Sequence, residues 1–207
     1  MKQFLITIAL AATALSSWAI TATEAFTSAP NTVFPLLEKS TRLDMVDYFN
    51  SGLASASSNK LDGKTSITLL SDSDIRFTMS SSSAYQIAIL PSKDGDIIAL
   101  IETVATPAPD SNISFYTAEW SSIDKPLFNE PGVSDWLTAD GRDNSSMVES
   151  LVPFMLVSYN YDPATKSLIL RNNVKQFLGE EMYSMIDGYL CDTLVYTWNG
   201  KRFELKK

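Results

Sequence analysis

Histidine is missing from the 207-residue sequence, and its absence excludes several kinds of active site. Ser-His-Asp and Cys-His nucleophilic centres, HExxH zinc proteases and haem bound by a proximal histidine all require an imidazole. Cysteine occurs once, at Cys191, so no internal disulfide can form. We expect Cys191 to be a small buried hydrophobe at a helix end. Nothing in the sequence predicts a cofactor or a metal site.

Positive charge is scarce as well. The chain has 24 acidic and 16 basic residues, which give a net charge of −8. This balance argues against nucleic acid and anionic membrane surfaces as partners. The composition, with 45% hydrophobic and 19% charged residues, is that of a globular protein and not of a disordered one.

A long apolar run stands out near the N-terminus, at Phe4–Leu15. At ~1.5 Å per residue in a helix it extends about 18 Å, which is too short for a hydrocarbon core of ~30 Å. Lys2 precedes the run and small residues follow it, a pattern typical of a secretory signal peptide. We predict a signal peptide over residues 1–19, cleaved after Ala19 or alternatively after Ala25, and no membrane anchor. The mature chain is then periplasmic or extracellular; the opposing interpretation is a core helix of a cytosolic protein.

Residues 20–207 contain no linker and no change in composition, so we predict one domain there. The predicted fold class is α+β, mainly antiparallel β-sheet, with an N-terminal helical segment and a helix before a C-terminal hairpin. Apolar and polar residues alternate, as in half-buried antiparallel strands, at residues 66–70, 74–79, 85–89 and 113–117. Residues 96–105 are apolar almost throughout and indicate a central strand.

The two helical segments have recognisable limits. The first covers residues 31–52 and is expected to be helical in two pieces; Thr41 and Asp44 have the spacing of a capping box, and Gly52 ends the helix. In the second, apolar residues between Val174 and Leu190 recur with helical spacing, and we expect a break near Gly179.

The C-terminal residues predict a β-hairpin. Asn199-Gly200 lies between two alternating runs and is typical of a two-residue type I′ turn, which needs a positive φ at both positions. This turn pairs Tyr196 with Phe203 and Trp198 with Lys201. The aromatic side chains then share the face that packs on the core.

Paired carboxylates are the remaining route to glycan hydrolysis without histidine. Glu102 interrupts the apolar strand, where burial would raise the pKa of a carboxyl group that acts as a general acid. Glu119 is the second candidate. The alternative places Glu102 on the solvent face of an antiparallel strand, and the sequence indicates no partner carboxylate for it.

Aromatic residues are the candidate binding residues. Trp120, Trp136 and Tyr161, with Tyr159 beside them in the sequence, are a hypothetical stacking platform for a sugar or a peptide. The alternative for all of them is packing in the core. Trp136 lies in residues 125–146, which show no period, so its exposure decides between the two.

Parts of the chain match a known pattern: RLDMVDYF at 42–49, LDGKT at 61–65, TPAPDSNISFY at 106–116, and Trp120. In the same order, they resemble the N-terminal helix, the following loop, and the central turn and strand of a secreted domain of unknown function. That family occurs in gut-type Gram-negative anaerobic bacteria. The resemblance implies an envelope location and a bacterial host, but it assigns no activity, cofactor or catalytic residue.

We therefore predict an exported, non-enzymatic module that binds a protein or a glycan. The alternatives are a histidine-free carboxylate hydrolase that acts on glycans, and a secreted inhibitor of an enzyme. A surface without a deep pocket favours the binding module, whereas a deep cleft that holds two close carboxylates favours the hydrolase.

Overall fold

The computed structural model describes residues 19–53 and 56–206. The predicted signal peptide therefore lies outside the described residues, apart from Ala19. Within the described part, two antiparallel sheets and several short helices confirm the predicted α+β class, with sheet dominant.

The N-terminal half forms a six-stranded sheet in which each strand neighbours the next along the chain. Its strands are β1 (Ser57–Ser58), β2 (Lys64–Leu70), β3 (Asp74–Ser80), β4 (Ser83–Leu90), β5 (Ile97–Val104) and β6 (Asp110–Thr117). Two helices, α1 (Ala22–Ser28) and α2 (Lys39–Asn50), pack on one face of this sheet through contacts with β2, β3 and β4.

The C-terminal half forms a four-stranded sheet of order β10-β9-β8-β7. Its strands are β7 (Val157–Asp162), β8 (Ser167–Asn172), β9 (Thr193–Trp198) and β10 (Phe203–Leu205). Helices α3 (Ala139–Asp143) and α4 (Ser145–Leu151) precede this sheet, and α5 (Val174–Leu178) and α6 (Glu180–Tyr183) connect β8 to β9.

Strands β4 and β5 contribute to two hydrophobic cores, one on each face of the larger sheet. Toward the helices they present Ile87, Ile89, Ile98 and Leu100, and toward the smaller sheet Ala88, Leu90, Ala99 and Ile101. Burial on both faces explains why residues 97–101 are all apolar. The predicted central strand is confirmed, since β5 lies between β4 and β6.

Strand β7 is an edge strand whose free main-chain N–H groups face the larger sheet. Side chains of that sheet accept from them: Val157 N donates to Asp110 Oδ1 (3.1 Å), Tyr159 N to Ser111 Oγ (3.0 Å), and Tyr161 N to Gln86 Oε1 (3.0 Å). Side chains thus provide acceptors for the N–H groups of every second residue along this edge. An edge strand without such partners can pair with a strand of another chain.

Gln86 joins the two sheets at the end of this row. Its side-chain nitrogen donates to Tyr161 O (2.7 Å) and to Asp74 Oδ1 (3.0 Å), while Tyr161 N donates to its oxygen. Arg76 completes the network by donating to Asp74 Oδ2 (2.8 Å) and to Tyr161 O (3.2 Å). Gln86 and Asp74 are buried, so each hydrogen bond replaces one that water would otherwise supply.

The predicted capping box in the first helical segment is wrong. Helix α2 begins at Lys39, with Glu38 at its N-cap, so Thr41 and Asp44 lie inside the helix, and residues 31–38 form turns. The buried face contains Arg42 and Met45 and leaves Leu43 exposed. The charged Arg42 occupies a core position because its guanidinium donates to two main-chain carbonyls, those of residues 37 and 29.

The second helical segment is shorter than its spacing predicts. The break at Gly179 is confirmed, with a φ of 78°, but α6 ends at Tyr183, and turns follow it to Leu190. Cys191 lies in the connection to β9 and not at a helix end, and it is half-buried.

The C-terminal hairpin is confirmed, but its predicted register is wrong by two residues. Trp198 pairs with Phe203, and Tyr196 with Leu205. The two residues between the hydrogen-bonded Asn199 and Arg202 are Gly200 and Lys201, and of the turn residues Gly200 alone has a positive φ (90°), so the predicted type I′ turn at Asn199-Gly200 is absent. A shift of two residues keeps each side chain on its face, so the aromatic side of the hairpin is preserved.

The hydroxyl group of Tyr161 leads to a prediction about stability. Tyr161 is buried, and its hydroxyl has no hydrogen-bond partner among the described residues. A buried hydroxyl without a partner costs about 1–3 kcal/mol, so Tyr161→Phe should raise the free energy of unfolding by about 1 kcal/mol. Urea denaturation checks this, with the exposed Tyr48→Phe as control. A loss of stability would contradict the structure at this position.

The same residue predicts how stability depends on alkaline pH. Burial, with Asp162 and Asp74 nearby, raises the pKa of Tyr161 to about 12, whereas an unfolded tyrosine titrates near ~10. Between pH ~10 and ~12 the Tyr161 hydroxyl has lost its proton in the unfolded state but keeps it in the folded state. The free energy of unfolding therefore falls as the pH rises through this window. We expect the fall in the free energy of unfolding over this window to be smaller in Tyr161→Phe.

Candidate functional site

The three predicted binding aromatics are core residues. Trp136 is 0%, Tyr161 1% and Trp120 8% exposed. The Trp120 indole donates to Ala25 O (3.0 Å) beneath α1, and Trp136 packs between the smaller sheet and the helices before it. Tyr159 is also buried; burial and the nearby Glu130 carboxylate, which accepts from its hydroxyl, raise its pKa. The positions of these rings fit the alternative of core packing.

The two candidate carboxylates lie at different places on the larger sheet. Glu102 lies in the second half of β5, where it pairs with Tyr85 on β4 and with Asn112 on β6. Glu119 follows Thr117, which pairs with Ile97, five residues before Glu102. At ~3.3 Å per residue, five residues span about 17 Å, whereas glycosidase carboxylates lie ~5–9.5 Å apart. The structure does not bring this pair together.

The contact of Glu102 is with a tyrosine. Burial, together with the Glu102 carboxylate as hydrogen-bond partner, raises the pKa of Tyr85 to about 12. The Tyr85 ring stacks on Phe77, with centroids 5.2 Å apart. A tyrosine with a raised pKa stays neutral, and its hydroxyl donates to the carboxylate. This contact fits a structural role for Glu102.

An open groove of about 630 Å³ lies at one end of the larger sheet. The turn between β4 and β5, the loop after β6 and the tip of the C-terminal hairpin surround it. The charged residues of this groove are Asp94, Asp96, Glu119, Lys125 and Lys201, and Ile20 lies at its margin. Within the described residues, no group of three or more acidic or cysteine side chains is placed to hold a metal ion.

A second feature is a set of four exposed apolar side chains, called the apolar patch below: Phe154 and Phe177, whose rings are in contact, and Met182 and Met185 on and just after α6, which packs against α5. Their side chains are 53%, 46%, 43% and 57% exposed, respectively. The rings of Phe154 and Phe177 contact each other, with centroids 5.8 Å apart. Monomeric proteins rarely expose large apolar side chains together unless the surface binds something.

The local structure explains why the apolar patch is exposed. The left-handed Gly179 ends α5 and turns the chain into the four-residue α6, so the apolar spacing of this segment is not continued along one helix axis. Tyr183 and Ile186 occupy the core from this segment. Met182 and Met185, one turn apart, are left at the surface, close in sequence to the exposed Glu181 and Asp187.

A family match covers residues 14–203 of the sequence, and the family is described as "Protein of unknown function (DUF3256)". The chain belongs to this family. A solved structure is similar to this chain: "Structure of a domain of an uncharacterized protein from Porphyromonas gingivalis W83". It is 24% identical, the match covers 91% of this chain and 98% of that chain, and the TM-score is 0.77. This neighbour, from a Gram-negative anaerobe, shows the fold alone. No curated protein matches.

These comparisons confirm the resemblance to a family of unknown function but identify no site in the DUF3256 chain. Its apolar patch was missed from the sequence, because Phe177, Met182 and Met185 fit a helical stripe that would be buried. The signal that could have located them is Gly179, since a broken helix cannot bury a continuous stripe. Between residues 19 and 206, wherever the chain is described, no helix is long and apolar enough to cross a membrane.

Proposed function

We propose that this DUF3256 protein is an exported, non-enzymatic module of one domain, residues 20–207, that binds another protein through the apolar patch. The observation that carries the proposal is the contact between the exposed rings of Phe154 and Phe177, with the exposed Met182 on the adjoining helix α6 and Met185 just after it. Aromatic residues and methionine are enriched in the cores of protein interfaces. Methionine also adapts its shape to a partner.

A protein partner is favoured over a glycan because of where the flat rings lie. Glycan sites need an exposed ring face beside polar groups, and the indoles of Trp120 and Trp136 are in the core. The aromatic residues of the apolar patch are phenylalanines, which offer no hydrogen bond to a sugar hydroxyl. An apolar partner surface suits them better.

The charges at the margin of the apolar patch indicate the chemistry of the partner. Glu181 and Asp187 are exposed and belong to none of the ion pairs in the described residues. Lys175, the nearest cation in the sequence, already pairs with Glu180 (3.5 Å). We therefore expect a partner whose contact surface has an apolar centre and a basic margin.

Helix α1 supports export with cleavage after Ala19 over cleavage after Ala25. Ala22, Ala25 and Phe26 are completely buried, and Ala25 O accepts from Trp120. Cleavage after Ala25 would divide α1 and remove two of these three buried residues, together with the acceptor of Trp120. Cleavage after Ala19 leaves the helix and its capping box intact.

Photo-crosslinking in a bacterium that carries the gene tests the binding proposal. A photoreactive phenylalanine at position 177 should form an adduct with one protein, and the same residue at the exposed Tyr48 on α2 should not. Phe154→Ser should reduce the yield about 10- to 100-fold, because truncating an interface anchor costs about 1.4–2.8 kcal/mol.

Two results would contradict the proposal. One is an equal adduct yield from positions 177 and 48, which indicates random collisions. The other is full retention of a soluble glycan by the Phe154→Ser variant, with no protein adduct at position 177. A partner that proves to be an enzyme with lowered activity in the complex would make this protein an inhibitor and leave the patch assignment in place.

A further inference from the structure

The open groove contains Ile20, which becomes the first residue of the chain when the signal peptide is cleaved after Ala19. Hydrolysis of the peptide bond adds water: Ala19 gains a carboxylate, and the neutral main-chain N–H of Ile20 becomes a free α-ammonium group. Ile20 is half-buried and packs against the core beneath α1. The new positive charge therefore arises at a defined place on the folded protein.

The backbone immediately after Ile20 is held by hydrogen bonds. Thr21 N donates to Glu24 Oε2 (2.9 Å) in the capping box of α1, and Ala22 N donates to Asp72 O (2.7 Å) in the turn between β2 and β3. Two consecutive anchored residues leave the α-amino group of Ile20 little freedom to leave the groove.

The turn that carries Glu119 is held against the same helix. Trp120, the next residue, is buried, adopts a left-handed backbone (φ 63°), and donates from its indole to Ala25 O. A left-handed conformation is rare for a bulky residue and persists only where its surroundings impose it. Glu119 and the start of α1 are thus fixed relative to each other.

The groove has an excess of negative charge. Asp94 and Asp96 come from the β4–β5 turn and Glu119 from the loop after β6; Lys125 on that loop and Lys201 on the hairpin oppose them. None of these five forms an ion pair among the described residues. Glu24 and Asp72 add further carboxylates beside the start of α1, and Glu24 already accepts from Thr21.

We propose that the α-ammonium of Ile20, released by cleavage after Ala19, forms an ion pair in the groove with Glu119 and with Asp96, which is half-buried. The inference rests on the proposed export, since only processing creates this charge. Maturation then adds a contact that joins the start of α1, the turn between β4 and β5, and the loop after β6. The occupant of the groove in the mature protein is its own N-terminus.

Titration of the α-amino group tests this proposal. A chain that begins at Ile20, made by removing a tag with a site-specific protease, is labelled with ¹⁵N-isoleucine and titrated by NMR. We expect a pKa about one unit above the ordinary ~7.7–8.0, a tenfold higher proton affinity. Glu119→Gln and Asp96→Asn should each lower this value, while Glu149→Gln, on the exposed side of α4, should not.

The outcomes separate the ion pair from the export. An ordinary pKa for the Ile20 amine, or the same raised pKa in Glu119→Gln and Asp96→Asn, overturns the ion pair. This result does not depend on whether the bacterium exports the protein. A chain that retains Ala19 is the second control, because its ammonium lies one residue (~3.8 Å) further out, and its pKa should be ordinary. N-terminal sequencing of the protein from the bacterium tests the export: a chain that still begins at Met1 contradicts it without affecting the titration.

Discussion

Replacing Gly141 with alanine should lower the free energy of unfolding by about 4 kcal/mol or more. Gly141 is buried in α3, and a Cβ there would overlap the main-chain oxygen of Tyr189 and lie 2.9 Å from its carbonyl carbon. Rotation of a side chain cannot relieve this overlap, because it joins a Cβ fixed to the backbone of α3 and the main chain of Tyr189. The same oxygen accepts from Thr138 N (3.0 Å), so a shift also breaks a hydrogen bond.

The matched control is Gly132→Ala. Gly132 is exposed, has an ordinary φ of −78°, and a Cβ there would meet a single carboxylate oxygen at 3.9 Å. Alanine at such a position is neutral or stabilises by up to about 1 kcal/mol, because it restricts the unfolded chain. Urea denaturation of both variants measures the difference, and a Gly141→Ala protein as stable as the wild type would refute this packing.

The Gly141 substitution should also weaken binding at the apolar patch. The segment after α6 is held by the residues around α3: Thr138 Oγ1 donates to Gly188 O (2.8 Å), and Cys191 N donates to Trp136 O (2.7 Å). Displacing this segment moves the support of Met182 and Met185. Crosslinking from position 177 should therefore fall in Gly141→Ala but not in Gly132→Ala.

The strands were predictable from the sequence because their period is local. Alternation places one face on a core and the other toward polar surroundings, and β3 and β7 follow it most clearly. The register of the C-terminal hairpin could not be predicted from the face of the sheet on which each side chain lies. Pairing Trp198 with Phe203 or with Lys201 puts the same side chains on the core side. The two registers differ at Asn199, which would need a positive φ in the predicted turn and does not have one.

Residues 125–146 showed no period, because the helices in and after this segment are too short for one to develop. Helix α3 has five residues and α4 has seven. They are held in place by tertiary contacts, such as the bridge between Leu137 and Leu190. The burial of Trp136 depends on those distant residues and leaves no local pattern.

The candidate site was harder to predict than the fold. The hydrophobic character of Phe177 and Met185 is the same whether a residue lies in a core or at an interface. What separates the two is the length of the helices in this segment: Phe177 is on α5, which ends at Leu178, and Met185 lies beyond α6, which ends at Tyr183. The proposed role of Ile20 depends on a chemical step, cleavage, and on the groove that the two sheets and their turns form together.

Gln86→Glu should destabilise the junction of the two sheets by about 4 kcal/mol at neutral pH. The substitution replaces a donor by a carboxylate oxygen that faces two acceptors, Asp74 Oδ1 and Tyr161 O, which the Gln86 nitrogen now contacts at 3.0 and 2.7 Å. Arg76 lies on the same groups and offsets part of the repulsion. The site is buried, so water cannot restore the lost hydrogen bonds.

The pH dependence of this variant distinguishes charge repulsion from lost packing. The introduced carboxyl group has a pKa above its unfolded value of ~4.3, so its protonated form donates to Asp74, and the penalty is absent at pH below ~4.3. The penalty grows as pH rises through the folded-state pKa. The difference in unfolding free energy from the wild type should therefore shrink on acidification, whereas Gln86→Met should lose the same amount at every pH. Gln176→Glu, exposed on α5, is the control and should change stability little. A deficit in Gln86→Glu that does not depend on pH would mean that the Gln86 amide contributes by its shape and not by its donor.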